Sequence, residues 1–376
     1  MVMRHAGSPH DALVLLRTRE HLPEHEATVH RDIASRIARI LGLPFQGEYS
    51  AQKHSGLRCY FIPDATLIGF KSLESLAISG EEDLFGGFAK WDFLPTKAVS
   101  HGLIGASAER PQGWSEKFSE RVKGSTLPGF TAFSRADARE AARLLLEQHV
   151  RIRIKPVHAT AGRGQVVVQS MDDLDLALHE QDETALSECG LVLEAQLEHV
   201  VTYSVGQVRL PGLVASYIGT QSLTRDNHGE EVYGGSRLQI CRGDFSALDQ
   251  LELDDETRRA VKIAAAFDAA ADASYPEFFA SRRNYDVAAG LDAHHARQVG
   301  VLEQSWRIGG ASRAEVAALE AFADDPSCQH LQAETIELFG ADAKAPPDAL
   351  ETFSGVDPEL GLIRKYVMVN AYGNKQ

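Results

Sequence analysis

Two carboxylates and an arginine lie on neighbouring predicted strands in the second half of the chain. Asp286 belongs to the segment NYDVAAG, whereas Glu303, Ser305 and Arg307 belong to VLEQSWRIGG. Side chains alternate along a strand, so the last three residues share one face. Carboxylates and a hydroxyl are hard oxygen ligands suited to Mg²⁺, and an arginine beside them can clamp phosphate or carboxylate. A purely structural ion pair between Glu303 and Arg307 is the alternative. The opposite face of this strand is predicted to carry Leu302, Gln304 and Trp306.

A second candidate site is the segment RIRIKPVHATAGRGQVVVQ, from Arg151 to Gln169. Its β-branched flanks predict two strands, so the glycines lie at a hairpin tip and not before a helix, as they do in the common phosphate loops. Backbone N–H groups exposed by Gly162 and Gly164 can form a concavity that binds anions. Lys155, at the base of the hairpin, adds a point charge suited to phosphate. A plain turn is the alternative interpretation.

A third candidate is the segment Glu194-Ala195-Gln196-Leu197-Glu198, where an apolar strand ends in a carboxylate. A linker between two subdomains lets backbone groups pair with a purine edge while apolar side chains sandwich the ring. The alternative is an ordinary solvated strand end.

Further cations could recognise an anionic substrate. Planar guanidinium groups hold carboxylates through two hydrogen bonds, so Arg307 is the first choice, and Tyr233 before Gly234-Gly235 is a candidate substrate contact. Simple surface positions and a hairpin turn are the alternatives. Three histidines on the first predicted helix lack a cysteine or carboxylate to complete a metal set, so a solvated face is predicted for His21, His25 and His30. The remaining candidate substrate residues are Arg225, Arg282 and Arg283.

Composition narrows the possible partners. The chain has 376 residues, 44% of them hydrophobic, and carries a net charge of −15. This length allows two or three packed subdomains, and the negative charge disfavours nucleic acid. Four scattered cysteines indicate neither a disulfide framework nor a zinc site, and no apolar run is long enough to cross a bilayer. We therefore expect a soluble cytoplasmic protein that binds neither nucleic acid nor a membrane.

The elements that must position these residues follow from periodicity. A strand is predicted at Ala12–Leu16 and a helix between Pro23 and Gly42, where Pro44 helps to end it. Ser134 is a suitable N-cap for a helix that runs to about Gln148. A long alanine-rich helix is predicted over residues 254–273. Further helices are predicted at 114–122 and 171–181, further strands within 58–70, 190–210, 212–224, 230–243, 278–290 and 298–310, and a helix, a proline-rich break and a final strand from residue 311 onward.

The order of these features resembles the ATP-grasp superfamily over residues 86–312. In that fold two α/β subdomains close on ATP, so the resemblance implies an α/β (α+β) fold preceded by a small N-terminal α/β domain. The whole chain also resembles a bacterial family of unknown function with an ATP-grasp-like core. The implied domains are 1–95 (N-terminal), 96–192 (glycine-rich hairpin), 193–313 (metal-binding strands) and 314–376 (a C-terminal helix and strand extension).

The resemblance also implies roles for individual residues. Lys97 and Lys155 resemble the two nucleotide-contacting lysines, and Asp286 and Glu303 resemble the metal-bridging carboxylates. Arg307 matches the arginine that follows them, and with Lys155 it is the implied catalytic pair. The implied phosphate lid contains Thr160, Gly162, Arg163, Gly164 and Gln165, and the implied adenine hinge contains Glu194, Ala195, Gln196, Leu197 and Glu198.

Two positions depart from the superfamily pattern. Ser305 stands where the third metal ligand is usually asparagine, so the resemblance does not decide whether a second metal ion binds. Many members carry a ribose-binding carboxylate about seven residues after the hinge glutamate; this position is Val201, and Glu198 is the nearest substitute.

The implied function is that of an ATP- and Mg²⁺-dependent ligase, with Mn²⁺ as an alternative metal. It would join a carboxylate to an amine or thiol through an acyl phosphate, on a small molecule or a peptide. An ATP-binding regulatory or scaffold protein without turnover is the alternative, and a kinase-like transfer to a hydroxyl is a lesser one. The sequence does not predict the acceptor or the oligomeric state.

Overall fold

The computed structural model describes residues 9–148, 151–157, 165–341 and 343–371. The helices in these ranges are α1 (Glu24–Leu41), α2 (Phe70–Leu76), α3 (Glu116–Val122), α4 (Arg135–Glu147), α5 (Met171–His179), α6 (Glu183–Cys189), α7 (Asp255–Ser274) and α8 (Ser312–Asp324). The strands are β1 (Ala12–Leu16), β2 (Phe45–Glu48), β3 (Cys59–Pro63), β4 (Leu67–Ile68), β5 (Gly87–Ala89), β6 (Gly129–Ala132), β7 (Ile152–Pro156), β8 (Val166–Val168), β9 (Leu191–Ala195), β10 (Glu198–Leu210), β11 (Leu213–Arg225), β12 (Glu231–Arg242), β13 (Phe279–Ala280), β14 (Arg282–Leu291), β15 (Arg297–Ser305), β16 (His330–Phe339), β17 (Leu350–Asp357) and β18 (Gly361–Ala371).

The N-terminal unit is a small parallel sheet covered by a helix. Strand β1 lies between β2 and β3, and both neighbours pair with it in parallel. Helix α1 buries Ile33 and Ile37 against this sheet and ends at Gly42, whose φ of 69° is the left-handed conformation that glycine adopts without strain. The predicted first strand and first helix are confirmed.

The two strands that flank the glycine-rich segment belong to a second sheet, of strand order β6-β9-β7-β8. Strands β7 and β8 pair antiparallel, from Ile152 opposite Val168 to Ile154 opposite Val166, so the predicted hairpin is confirmed. Helix α4 covers this sheet, and the Ser134 hydroxyl caps it by accepting a hydrogen bond from the Asp137 N–H. The tip residues Thr160, Gly162, Arg163 and Gly164 lie outside the described residues.

The largest sheet has eight strands in the order β15-β14-β10-β11-β12-β16-β18-β17. Helix α7 packs on one face, and α8 and α1 pack on the other. Strand β16 pairs antiparallel with β12, so the C-terminal segment continues this sheet. None of the helices in the described ranges combines the length and the apolar character needed to cross a bilayer. The domain boundaries at residues 95, 192 and 313 stay predictions.

A β-bulge corrects one expectation about the carboxylate strand. Asp286 lies opposite Glu303, but Val287 lies opposite Val301, so Leu302 is an extra residue on β15. The strict alternation predicted for this strand is therefore wrong at Leu302, which lines the same cavity as Glu303. The prediction holds for Trp306 and Gln304, which are buried on the other side: the Gln304 amide donates to the carbonyl oxygen of Leu94.

Candidate functional site

A cavity of about 610 Å³ lies between the large sheet, helix α1 and the loop that leads into α8. Its walls come from α1, β10 to β12, β14, β15 and the C-terminal strands, so residues distant in sequence meet there. Eight of the predicted site residues line it: Lys97, Gln165, Tyr233, Arg282, Asp286, Glu303, Ser305 and Arg307.

The two predicted metal carboxylates face each other at one side of the cavity. Asp286 on β14 is directly opposite Glu303 on β15. Burial, followed by the negative charge of Glu303, raises the pKa of Asp286 to about 6. Amide groups hold the Asp286 carboxylate, because Oδ1 accepts from Gln221 Nε2 at 2.9 Å and from Asn284 Nδ2 at 3.0 Å.

This pair fits a divalent cation by its chemistry. Two carboxylates that repel each other across neighbouring strands supply hard oxygen ligands, and a cation between them would remove the repulsion. The described residues contain no cluster of three or more histidine, cysteine, aspartate or glutamate side chains that could hold a metal. Further ligands would therefore have to be amide or hydroxyl groups, water or substrate oxygens.

Ser305, the predicted third ligand, is already engaged. Its Oγ accepts a hydrogen bond from Arg282 Nη1 at 3.1 Å, and its backbone carbonyl accepts a second one from the same nitrogen. Asn284 lies directly opposite Ser305 on β14 and also lines the cavity. The amide that the pattern lacks at position 305 is therefore present on the adjacent strand.

The two predicted nucleotide lysines are both buried and both paired with carboxylates. Lys97 lies on a short 3₁₀ helix (Lys97–Ser100), and its Nζ is 3.1 Å from Oε2 of Glu303. Lys155 on β7 forms an ion pair with Glu194 on the neighbouring strand β9. His101 Nε2 lies 3.1 Å from the second oxygen of Glu194.

Electrostatics favour the charged form of Glu194. Burial would raise the pKa of its carboxyl group, but the ion pair with Lys155 and the hydrogen bond from His101 outweigh burial and lower it. Glu194 thus joins the hairpin strand to the segment that carries Lys97.

The other residues of the predicted hinge are held by backbone hydrogen bonds and an ion pair, and one of them is buried among apolar side chains. The Ala195 N–H donates to the Pro128 carbonyl and the Gln196 N–H donates to the Arg151 carbonyl, both at 2.8 Å. Glu198 is paired with Arg151. Leu197 is buried in a small apolar cluster with Leu127, Ala288 and Leu302, which suits one face of a flat ring.

The predicted substrate residues are not all in one place. Tyr233 lines the cavity, and its hydroxyl is hydrogen-bonded to Ser236 and Thr335. Arg225 is exposed at the β11–β12 turn, where it donates to the Gly229 carbonyl, and it does not line the cavity. Arg283 lies on the α7 side of the sheet and pairs with two aspartates of that helix, Asp268 and Asp272.

Two neighbouring arginines at the cavity differ in their pairing. Arg282 is buried and makes two hydrogen bonds with Glu315 of α8, at 2.7 and 3.1 Å. Arg307 donates to the carbonyl of Ile308, and it has no ion pair with any residue that the structure describes. Burial, together with the positive charges of Arg19 and Arg282, lowers the pKa of Arg307.

The prediction of a solvated histidine face on α1 is wrong for His25 and His30. Both side chains are buried and line the cavity, because α1 packs against the C-terminal strand β17 as well as its own sheet. His25 Nε2 lies 3.8 Å from Asp357, the last residue of β17.

Several cavity residues escaped the sequence interpretation. Asn284 lies two residues before Asp286, so strand alternation could have indicated it. Gln221 approaches Asp286 only through sheet pairing, and Arg313 comes from the first turn of α8; neither carries a local signal.

Comparisons with known proteins agree with this architecture. The chain matches a protein family described as "Protein of unknown function (DUF3182)" over residues 13–367. No curated protein sequence matches it.

Solved structures are similar over nearly the whole chain. One is N5-carboxyaminoimidazole synthetase from Staphylococcus aureus, complexed with ADP, with a TM-score of 0.58 and 11% identity over 97% of this chain and 95% of that one. The biotin carboxylase domain of the Hydrogenobacter thermophilus 2-oxoglutarate carboxylase, in complex with MgADP, ADP and bicarbonate, gives a TM-score of 0.59 and 14% identity over 96% and 87%. Both are ATP-grasp enzymes, and the likeness shows that this chain has the ATP-grasp fold.

Proposed function

This chain belongs to the DUF3182 family, and we propose that it is an ATP- and Mg²⁺-dependent ligase of the carboxylate-amine or carboxylate-thiol type. The observation that carries the proposal is the cavity in which Asp286 faces Glu303, Lys97 contacts Glu303, and Arg307, which forms no ion pair within the described ranges, lies on the same strand face. Solved ATP-grasp structures with ADP and with MgADP support the choice of nucleotide.

The nucleotide would lie between the hairpin sheet and the large sheet. The hinge from Glu194 to Leu197 would face the adenine, with Leu197 and Leu302 against the ring. Lys97 and Lys155 would neutralise phosphate oxygens, which requires Lys155 to share its charge between the phosphates and Glu194. Asp286 and Glu303 would hold the metal ion, which when bound supplies charge neutralisation at the phosphates.

The acceptor would enter from the side lined by α1 and the C-terminal strands. Arg307 would orient the carboxylate of the acceptor. One oxygen of that carboxylate would attack the γ-phosphorus of ATP in line, as the bond from this phosphorus to ADP breaks. An amine or thiol would then attack the acyl carbon, the bond from that carbon to the phosphate oxygen would break, and inorganic phosphate would leave with the proton that the nucleophile loses. These steps depend on positioning and charge, and thus need no dedicated base for the first transfer.

One observation favours the second candidate, an ATP-binding regulatory or scaffold protein without turnover. Ser305 occupies the position where the superfamily usually has a metal-binding asparagine. Its hydroxyl accepts a hydrogen bond from Arg282 and is therefore less available to bind a metal ion. Nucleotide binding without ADP release in the presence of any acceptor would support this candidate.

The first test is calorimetric titration of the purified chain with a non-hydrolysable ATP analogue, with and without Mg²⁺. We expect binding that depends on the metal and is lost in Glu303→Ala. The matched control is Glu74→Ala, which removes an exposed carboxylate of α2. Equal affinity in wild type and Glu303→Ala, or no binding at millimolar analogue, would contradict the proposal.

A further inference from the structure

The lining of the cavity includes more cationic side chains than carboxylates. Two cations there are balanced within the chain: Arg19 pairs with Glu26 at 2.7 Å and Lys365 pairs with Glu337 at 2.8 Å. Arg307 has no such partner among the described residues. An unbalanced guanidinium in a cavity indicates an anionic ligand.

A second guanidinium, Arg313, is only partly satisfied. Its side chain lines the cavity and is 3% exposed, and its Nε donates to Asp32. Asp32 is shared with Arg36, whose Nε lies 2.8 Å from the other carboxylate oxygen. Nη1 of Arg313 is buried without a hydrogen-bond partner in the part of the chain that the structure describes. A buried donor without a partner is costly, so a ligand atom at this place would be stabilising.

Helix α8 adds to the positive potential near Arg313. Gly309, Gly310 and Ala311 line the cavity and lead directly into α8, a helix of 13 residues with Arg313 in its first turn. The N-terminal end of a helix carries partial positive charge and N–H groups that favour anions. Arg307, on the strand side of the same loop, and Arg313, on its helix side, thus offer two separate anion contacts.

We infer that the acceptor is a small molecule with two anionic groups, one held by Arg307 beside the metal carboxylates and the other held by Arg313 and the N-terminal turn of α8. The inference rests on the proposed function for the chemistry at the first group. The second group serves recognition and does not react. A second carboxylate and a phosphate share the required charge and hydrogen-bond acceptors, so both belong to the inferred class.

The test measures binding of simple anions to the wild-type chain by calorimetry in the absence of nucleotide. The probes are butyrate, the dicarboxylates from malonate to adipate, and 3-phosphonopropionate. We expect the best dianion to bind about tenfold tighter than butyrate, which corresponds to about 1.4 kcal/mol. A preference for the dicarboxylates or for the phosphonate then identifies the second group.

Variants locate the second contact. Arg313→Gln should lower the affinity for the best dianion to that for butyrate and leave butyrate unchanged, whereas Arg313→Lys should retain part of the preference. Arg307→Gln should weaken butyrate and the dianions together. The inference is overturned if no dianion binds wild type tighter than butyrate, or if Arg313→Gln weakens butyrate and the dianions equally.

The comparison in wild type needs no variant, so a failure of Arg313→Gln to fold leaves the test intact. It also needs no nucleotide. If the wild-type chain binds ATP with Mg²⁺ but shows no preference for dianions, this inference alone is overturned. If it prefers dianions but does not bind ATP with Mg²⁺, the proposed function alone is overturned.

Discussion

Lys155 and Glu194 form an ion pair that is almost entirely buried, with side-chain exposures of 4% and 2%. Lys155 lies on β7 and Glu194 on β9, and His101 contacts Glu194 from a third segment. Removal of one partner from a buried ion pair leaves an uncompensated charge away from water. The pair therefore stabilises the contact between β7 and β9 within one sheet.

Lys155→Met should lower the free energy of unfolding by about 3–5 kcal/mol, because Glu194 would keep only His101 as a partner. The double variant Lys155→Met/Glu194→Gln should be less destabilised than the sum of the two single variants. Urea denaturation measures both effects. Lys123→Met, at an exposed position after α3, is the control and should change stability little. Additive costs in the double variant would show that the pair is not coupled.

Arg307→Ala should leave the affinity for Mg²⁺-ATP nearly unchanged and abolish ADP release with the acceptor. The reason is that Arg307 forms no ion pair with Asp286 or Glu303, whereas Lys97 contacts Glu303. Titration with the ATP analogue and an ADP-release assay measure the two effects separately. Arg225→Ala, at an exposed turn outside the cavity, is the matched control. If Arg307→Ala lost both properties equally, Arg307 would belong to the nucleotide site.

His30→Gln should make the free energy of unfolding fall less steeply at acid pH than it does in the wild type. Burial lowers the pKa of His30 from 6.5 to about 4, and the charge of Glu26 offsets only part of this effect. Because the folded pKa is depressed, the neutral histidine contributes full stability above pH 6.5, and this stability is lost as the pH falls toward 4. The difference between wild type and variant across this window should approach about 3 kcal/mol.

Urea denaturation at several pH values measures that difference. His294→Gln, in the exposed β14–β15 turn, is the control and should leave the slope unchanged. Parallel pH curves for wild type and His30→Gln would contradict the prediction.

Gly310→Ala should destabilise the chain by about 1–3 kcal/mol and alter the acceptor end of the cavity. A Cβ atom at this position would lie 2.6 Å from the ring of Tyr233, whose hydroxyl is hydrogen-bonded to Ser236 and Thr335. The ring would have to move, and its hydrogen bonds would change. Thermal unfolding checks the prediction against Gly105→Ala, because a Cβ at Gly105 meets no atom within 4 Å. Equal melting temperatures for the two variants would count against a tight contact at Gly310.

Local periodicity was sufficient for the elements that carry the site. It predicted the first strand, the helices α1, α4 and α7, the hairpin of β7 and β8, and the strands on which Asp286 and Glu303 lie. Strand alternation also placed Glu303, Ser305 and Arg307 on one side. These features depend on residues close together in the chain, so the sequence alone contains the signal.

The tertiary structure decided which of these side chains lie close together and which of them are paired with other residues of the chain. One extra residue in β15 moved Leu302 to the cavity, and packing of α1 on β17 buried His25 and His30. Strand alternation puts the adjacent Arg282 and Arg283 on opposite faces, but only helix packing decided that Arg282 pairs with Glu315 of α8 and Arg283 with Asp268 of α7. The partly satisfied guanidinium of Arg313 likewise depends on contacts between segments far apart in the chain. Such long-range contacts leave no periodic pattern in the sequence, because each residue type fits its local element equally well with or without them.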